Sequence, residues 1–169
     1  MVPVGVPMPP SAGKGRVALA LPAEGILQRS PPPSLRAAAR VADPAWQSTI
    51  ASLLALGWSA GVEPLCFGSL LWQHLTGLTY LSPRSDLDVL WPVPAGLDIL
   101  SLILNIAEVQ RAAPLRIDGE VVFPDGGAVN WRELWNAHRA VDRAGVLAKA
   151  MDGVRLLDVA SVPGVGQHA

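Results

Sequence analysis

This 169-residue chain has little cysteine, no long apolar run and no excess of either charge. Its single cysteine, Cys66, excludes an internal disulfide framework and is typical of a reducing compartment, so we expect a cytoplasmic location. No run reaches the roughly 18 to 20 apolar residues that a membrane-spanning helix needs. The opening "MVPVGVPMPP" lacks the charged start and continuous apolar segment of a signal peptide. We therefore expect a soluble intracellular protein.

The near balance of charge limits the possible partners. The chain has thirteen basic and fourteen acidic side chains, so it lacks the excess of basic charge that binding to nucleic acid or to an anionic membrane requires. Half of the residues are hydrophobic, so the chain can bury a sizeable core. The length predicts one principal domain.

Proline marks the predicted organisation of the chain. Residues 1–42 are rich in proline, which removes amide donors and favours extended backbone, and they predict an irregular arm with one short strand over residues 17–21. This arm could also be the remnant of an N-terminal subdomain. Residues 43–160 predict the folded domain, and residues 161–169 a flexible tail.

Within the folded domain, helical and strand-like patterns alternate. Asp43 with Pro44 predicts a helix start, and Asn130 followed by Glu133 predicts another with a capping box. Asp152-Gly153 predicts a hairpin turn. "PLRID" and "GEVVF" predict two further strands. Together these patterns predict an α/β (α+β) protein, with a mixed sheet flanked by helices.

The most informative stretch is "SDLDVLW". Alternation along a strand turns Asp86 and Asp88 to one face, while Leu87 and Val89 turn to the other. Two carboxylates so close repel each other unless a cation separates them. Mg²⁺ favours hard oxygen ligands and binds one or two carboxylates together with phosphate oxygens. The simpler interpretation is a pair of solvated acids on an exposed strand face.

A second motif lies upstream, in "CFGSLLW". Gly68 permits close backbone approach, and Ser69 opens a predicted helix. Free amides and a partial positive charge at a helix start suit phosphate. A Gly-Ser helix start followed by a strand with paired acids therefore predicts a site for a metal-bound triphosphate.

This combination resembles the polymerase-β-like nucleotidyltransferase superfamily, and implies its core fold. The resemblance implies a third carboxylate on a later strand, for which Asp118 in "LRIDGEVVF" is the candidate. Asp118 would be a shared metal ligand or the base that accepts a proton. Alternatively, Asp118-Gly119 is a hairpin turn that lies away from the metal.

A closer resemblance covers about residues 46–160. "FGSLLWQHLTGLTYLSPRSDLDVLW", "RIDGEVVFPDGGAVNWREL" and "VLAKAMDGVRLLD" resemble the malonate decarboxylase holo-acyl-carrier-protein synthases, the phosphoribosyl-dephospho-CoA transferases. The resemblance implies transfer of the phosphoribosyl-dephospho-CoA group from 2'-(5''-triphosphoribosyl)-3'-dephospho-CoA to a serine of the acyl-carrier subunit of malonate decarboxylase, with release of pyrophosphate. It implies that Mg²⁺ is held by Asp86, Asp88 and Asp118, and that Gly68 and Ser69 bind the leaving pyrophosphate.

Two further cations are candidate substrate contacts. Arg84 precedes the acid pair and could bind phosphate or merely solvate the strand entry. Lys149 is a lone cation in an apolar strand and could reach a phosphate or occupy a polar hairpin face. Cys66 has no evident base partner and is not predicted to be a nucleophile.

Two other functions remain open. One is a nucleotidyltransferase that uses ATP or another NTP on a different acceptor. The other is a non-catalytic homologue, shortened at its N-terminus, that binds nucleotide or the carrier without transferring a group. Paired acids are costly without a cation, which argues against the second.

Overall fold

The computed structural model describes residues 1–13, 15–140, 145–162 and 165. Part of the predicted C-terminal tail, residues 163–164 and 166–169, lies outside the described residues. None of the described helices combines the length with the apolar composition that a membrane span requires.

The N-terminal segment forms a β-hairpin. Strands β1 (Val2–Pro7) and β2 (Arg16–Leu21) pair antiparallel along their whole lengths as a separate two-stranded sheet. The sequence analysis predicts only the second of these strands and an irregular segment before it, which is wrong. Both strands of a two-stranded sheet are edge strands, where proline is tolerated because each strand has only one neighbour to bond.

The described residues also form one six-stranded sheet, and the sequence correctly predicts that it is mixed but does not predict the strand over residues 128–130. Its strands run in spatial order as they run along the chain, and every neighbouring pair is antiparallel except the second and third strands, which are parallel. The six are β3 (Leu65–Cys66), β4 (Leu87–Pro92), β5 (Ile117–Val122), β6 (Ala128–Asn130), β7 (Val146–Ala150) and β8 (Gly153–Leu157).

Helices connect and cover this sheet. The long helix between the two parallel strands is the crossover that parallel pairing requires. Fully buried residues of this helix, including Ile103 and Ile106, join Val89 and Ile117 of the strands in the hydrophobic core. The helices are α1 (Leu35–Ala38), α2 (Gln47–Ala60), α3 (Gly68–Thr76), α4 (Ile99–Ala112) and α5 (Trp131–Arg139).

Local capping agrees with most of the predicted helix boundaries. The Asp43 carboxylate accepts a hydrogen bond from the Ala45 amide, at 2.8 Å, and begins a 3₁₀ turn that leads into α2. Asn130 caps α5. The capping box is incomplete, because Glu133 accepts a hydrogen bond from the amide of Leu147 on β7.

The core extends upstream of the predicted folded domain. Leu35 and Ala38 of α1 are fully buried and belong to the hydrophobic core. The Leu35 amide donates to the Pro64 carbonyl, and the Cys66 amide to the Pro33 carbonyl, which joins this segment to β3. A proline-rich composition does not reveal such burial, because the bonds are made by backbone far along the chain.

Two turn predictions differ from the structure. The β7–β8 hairpin is present, but its loop residues are Met151 and Asp152, since Gly153 pairs with Ala150.

"PLRID" and "GEVVF" do not form two strands, because Ile117–Val122 is one continuous strand. A side chain at Gly119, which has a φ of +145°, would collide with the Val89 carbonyl of β4. Glycine therefore permits the close approach of β4 and β5 and does not mark a turn.

We predict that Gly119→Ala destabilises the protein by more than about 2 kcal/mol. The new methyl group would collide with the Val89 carbonyl, and alanine disfavours the positive φ of this position. The measurement is the free energy of unfolding in urea. Gly61→Ala is the matched control, since Gly61 also has a positive φ, of 66°, but open space around it, and should cost about 1 kcal/mol. Equal losses for the two variants would show that the close approach is unimportant.

Candidate active site

The predicted acid pair lies where β4 begins. Asp86 immediately precedes the strand and Asp88 is its second residue. Leu87 and Val89, which alternate with the acids, are completely buried in the core. The acids therefore share the opposite face of the sheet and are only partly buried.

Asp118 lies beside this pair. It is the second residue of β5 and is the register partner of Asp88 across the parallel strands. Register partners in neighbouring strands turn their side chains to the same face, about 4.8 Å apart along the sheet. The hairpin-turn interpretation of Asp118 is therefore wrong, and three carboxylates share one open face.

A cation that the sequence analysis did not select bridges these acids. The Arg116 guanidinium lies 3.3 Å from an Asp118 oxygen and 3.7 Å from an Asp86 oxygen. It therefore offsets part of the repulsion in the cluster. Its position two residues before Asp118 was a usable signal, because alternation sends both side chains to one face.

Asn130 orients Asp118. Its side-chain amide donates to one Asp118 oxygen at 2.8 Å, and the Gly119 amide donates to the same oxygen at 2.8 Å. The Asn130 oxygen meanwhile accepts from the Arg132 amide and caps α5. Sequence reasoning identified the cap but not the contact with Asp118, which spans twelve residues.

The Gly-Ser motif also lies against the acids. Gly68 begins α3 with a φ of +63°, and a side chain there would collide with the carboxylate of Asp88. The preceding residue, Phe67, makes no side-chain cap, and its amide donates to the Asp88 carbonyl at 3.2 Å. The start of α3 therefore lies against the Asp88 carboxylate, and phosphate binding by its first amides stays a prediction.

This environment makes Asp88 an unusual carboxyl group. Burial raises the pKa of Asp88 from 3.8 to about 6, with smaller contributions from the negative charges of Asp118 and Asp86, while Arg116 acts in the opposite direction. Functional sites often contain a carboxyl group whose pKa is raised by burial and by neighbouring negative charges.

Among the described residues, no hydrogen bond or ion pair joins the remaining candidates to the three acids, although the charge of Asp118 acts on Lys149. The Lys149 ammonium donates to Glu120 at 2.6 Å, and this hydrogen bond raises the pKa of Lys149. Arg84 is exposed in the turn before the acids. Cys66 is fully buried, and burial raises the pKa of its thiol to about 11, which agrees with the prediction that it is no nucleophile. A substrate role for Arg84 or Lys149 stays a prediction.

The residues present fit a magnesium ion only in combination with a ligand. Within the described ranges, no three His, Cys, Asp or Glu side chains are arranged to hold one ion by themselves. Mg²⁺ characteristically takes one or two carboxylates and completes its coordination with phosphate oxygens and water. Asp86 and Asp88 would supply the carboxylates, and the start of α3, which lies against Asp88, is the predicted place for the phosphate.

Fold and site together define a mixed α/β protein with a nucleotidyltransferase-like core. The model of the family "Phosphoribosyl-dephospho-CoA transferase MdcG C-terminal domain" matches residues 34–160. A phosphoribosyl-dephospho-CoA transferase of Bradyrhizobium diazoefficiens is 41% identical over 157 residues, which are 93% of this chain and 67% of that relative. A phosphoribosyl-dephospho-CoA transferase of Xanthomonas campestris pv. campestris strain 8004 is 37% identical over 92% of this chain and 71% of that relative. A third, of Xanthomonas euvesicatoria pv. vesicatoria, is 38% identical over 95% of this chain and 73% of that relative. No solved structure matches the chain.

The chain therefore belongs to the phosphoribosyl-dephospho-CoA transferase family. This membership confirms the resemblance found from "FGSLLWQHLTGLTYLSPRSDLDVLW" and the two later segments. The chain spans about two thirds to three quarters of the length of these relatives.

We predict that Asp88 makes stability fall between pH 4 and pH 7.5. The protonated carboxyl is favoured in the folded protein, so its contribution is complete below the unfolded pKa of 3.8 and is lost as the pH rises through about 6. Asp88→Asn should abolish this loss and gain about 1 kcal/mol at pH 7.5 after solvent screening, with little gain at pH 4.

Urea unfolding at a series of pH values measures this effect. Glu63→Gln, which removes an exposed carboxylate, is the control and should parallel the wild type. A constant difference between Asp88→Asn and the wild type at all pH values would contradict the raised pKa.

Proposed function

We propose that this protein transfers the phosphoribosyl-dephospho-CoA group from 2'-(5''-triphosphoribosyl)-3'-dephospho-CoA to a serine of the malonate decarboxylase acyl-carrier subunit. It would thus be a nucleotidyltransferase and the holo-acyl-carrier-protein synthase for that subunit. The relatives' printed name supports the transferred group. The observation that carries the reaction type is the alignment of Asp86, Asp88 and Asp118 beside the first turn of α3.

The reaction joins two substrates at the donor's α-phosphorus. The carrier serine oxygen forms a bond to this phosphorus, and the bond from the phosphorus to the bridging oxygen of the β-phosphate breaks. Pyrophosphate leaves with that oxygen, and the serine proton passes to a base. The product is a phosphodiester, so no oxidant or reductant is required.

Positioning and neutralisation of charge supply most of the catalysis in such transfers. Gly68 and Ser69 would bind the leaving pyrophosphate through the amides of the first turn of α3. Asp86 and Asp88 would hold Mg²⁺, which neutralises phosphate charge and polarises the phosphoryl oxygens. Arg84 and Lys149 are proposed as further donor contacts.

Asp118 would act in one of two ways. It would complete the metal ligands if Arg116 turned aside, or accept the serine proton with Asn130 holding it in place. Both roles require the Asp118 carboxylate to lie next to Asp88, and the two residues are register partners in β4 and β5. The exposed side of the sheet leaves these groups accessible to a serine on a second protein, whereas the apolar side is closed by the core.

The direct test is mass spectrometry of apo carrier subunit incubated with the protein, Mg²⁺ and triphosphoribosyl-dephospho-CoA, with ATP as donor in a parallel reaction. We expect a mass gain on the carrier serine with the first donor only. A gain with ATP would favour a nucleotidyltransferase of other specificity. No gain with either donor would contradict the proposed transfer by this chain and favour a binding-only homologue.

Variants test the residue assignments in the same assay. Asp86→Ala and Asp88→Ala should each lower the transfer rate at least about a hundredfold while the protein stays folded, because each removes a charge that no neighbour replaces. Asp118→Asn should lower it at least about tenfold. Asp152→Ala, at the exposed tip of the β7–β8 hairpin, is the control and should keep the wild-type rate. Wild-type rates for the site variants would defeat the assignments.

A further inference from the structure

A cavity of ≈ 410 Å³ lies between the N-terminal hairpin and the start of α3. Arg16 and residues near the hairpin turn line one wall, and Ser69, Tyr80, Ser82 and Ser85 line the other. The volume falls within the range of about 300 to 1,000 Å³ that is usual for small-molecule sites. Neither the hairpin nor Arg16 was a candidate in the sequence analysis.

The cavity adjoins the proposed active site. Ser69 follows Gly68, which touches Asp88, and Ser85 immediately precedes Asp86. The Ser85 hydroxyl accepts from the Ser82 amide at 2.9 Å and lies 3.2 Å from the Ser82 hydroxyl. The far wall is therefore polar and continuous with the acid cluster.

The two walls are joined through a buried tyrosine. The Tyr80 hydroxyl donates to the Pro7 carbonyl of β1 at 3.1 Å, and Tyr80 is only 8% exposed. The amides of Tyr80 and Leu81 both donate to the Gln73 side-chain oxygen of α3 at 3.0 Å. The hairpin is therefore held against the α3 wall.

Arg16 brings a positive charge to this cavity. Its aliphatic stem crosses Gly5 so closely that a side chain there would come within 2.8 Å of the Arg16 Cδ. Among the described residues, no carboxylate forms an ion pair with Arg16, whereas Arg116 and Lys149 are engaged with acids. An anionic ligand next to three carboxylates needs a cation that is not already neutralised.

We propose that the hairpin forms the second wall of the donor phosphate subsite and that Arg16 binds the donor's terminal phosphates opposite Ser69. The inference rests on the proposed function. It assigns a substrate-binding role to the segment before residue 34, which precedes the part matched by the family model. Arginine suits this role because its planar group donates several hydrogen bonds to phosphate.

The test is calorimetric binding of pyrophosphate in the presence of Mg²⁺. We expect Arg16→Gln to weaken binding at least about tenfold, the size of one charge-assisted contact. Arg16→Lys should recover part of the affinity. The control is Arg29→Gln, which removes an exposed cation of the same segment and should bind within about twofold of the wild type.

Two results would overturn the inference: equal affinities for Arg16→Gln and the wild type, or no binding of pyrophosphate by the wild type. Neither decides the proposed function, which the transfer reaction of the wild type tests separately. If transfer occurs and Arg16→Gln keeps the wild-type KM for the donor, the reaction stands and the hairpin subsite fails. Tyr80→Phe gives an independent check, because loosening the hairpin should also raise that KM.

Discussion

Repulsion among three carboxylates on one sheet face is the constraint on which the site depends. Asp86, Asp88 and Asp118 are brought together by strand alternation and by the parallel register of β4 with β5. Arg116 lies between two of them, and burial, with smaller contributions from the charges of Asp118 and Asp86, raises the pKa of Asp88 to about 6. The metal ion proposed for this site would relieve the remaining repulsion.

The topology explains why these acids remain accessible. The crossover helix α4 contributes buried side chains to the core, together with the apolar face of β4 and β5. The acids occupy the opposite face, next to the first turn of α3. Close backbone approach makes this possible at two glycines, since Gly68 lies against the Asp88 carboxylate and Gly119 against the Val89 carbonyl. One side of the sheet is thus packed in the hydrophobic core, whereas the other side carries the acids of the candidate site.

Sequence reasoning recovered the local part of this arrangement. Alternation predicted the shared face of Asp86 and Asp88, the Gly-Ser motif predicted the start of α3, and the capping residues predicted α2 and α5. Asp118 remained ambiguous because Asp-Gly is also a turn signal, and only pairing with β4 shows that Gly119 serves close strand approach. That pairing is set by residues about thirty positions apart.

Most contacts of the missed residues are distant in sequence, although Arg116 also contacts Asp118, only two positions away. Arg116, just before β5, reaches Asp86, just before the neighbouring strand β4, and Tyr80 reaches Pro7 across 73 positions. The hairpin was missed because proline-rich composition resembles that of an irregular arm. Local sequence patterns predict to which face of a strand or helix a side chain points, whereas the packing of neighbouring elements determines which residues it contacts.

The pKa of Asp88, followed by NMR titration of its carboxyl carbon with and without Mg²⁺ and pyrophosphate, tests the central claim most directly. The predicted value is about 6 without them. It should fall toward or below the ordinary value when they are added, since a bound cation favours the ionised carboxylate. A pKa near 3.8 without ligand, or one that Mg²⁺ and pyrophosphate leave unchanged, would contradict a cation-binding carboxylate cluster.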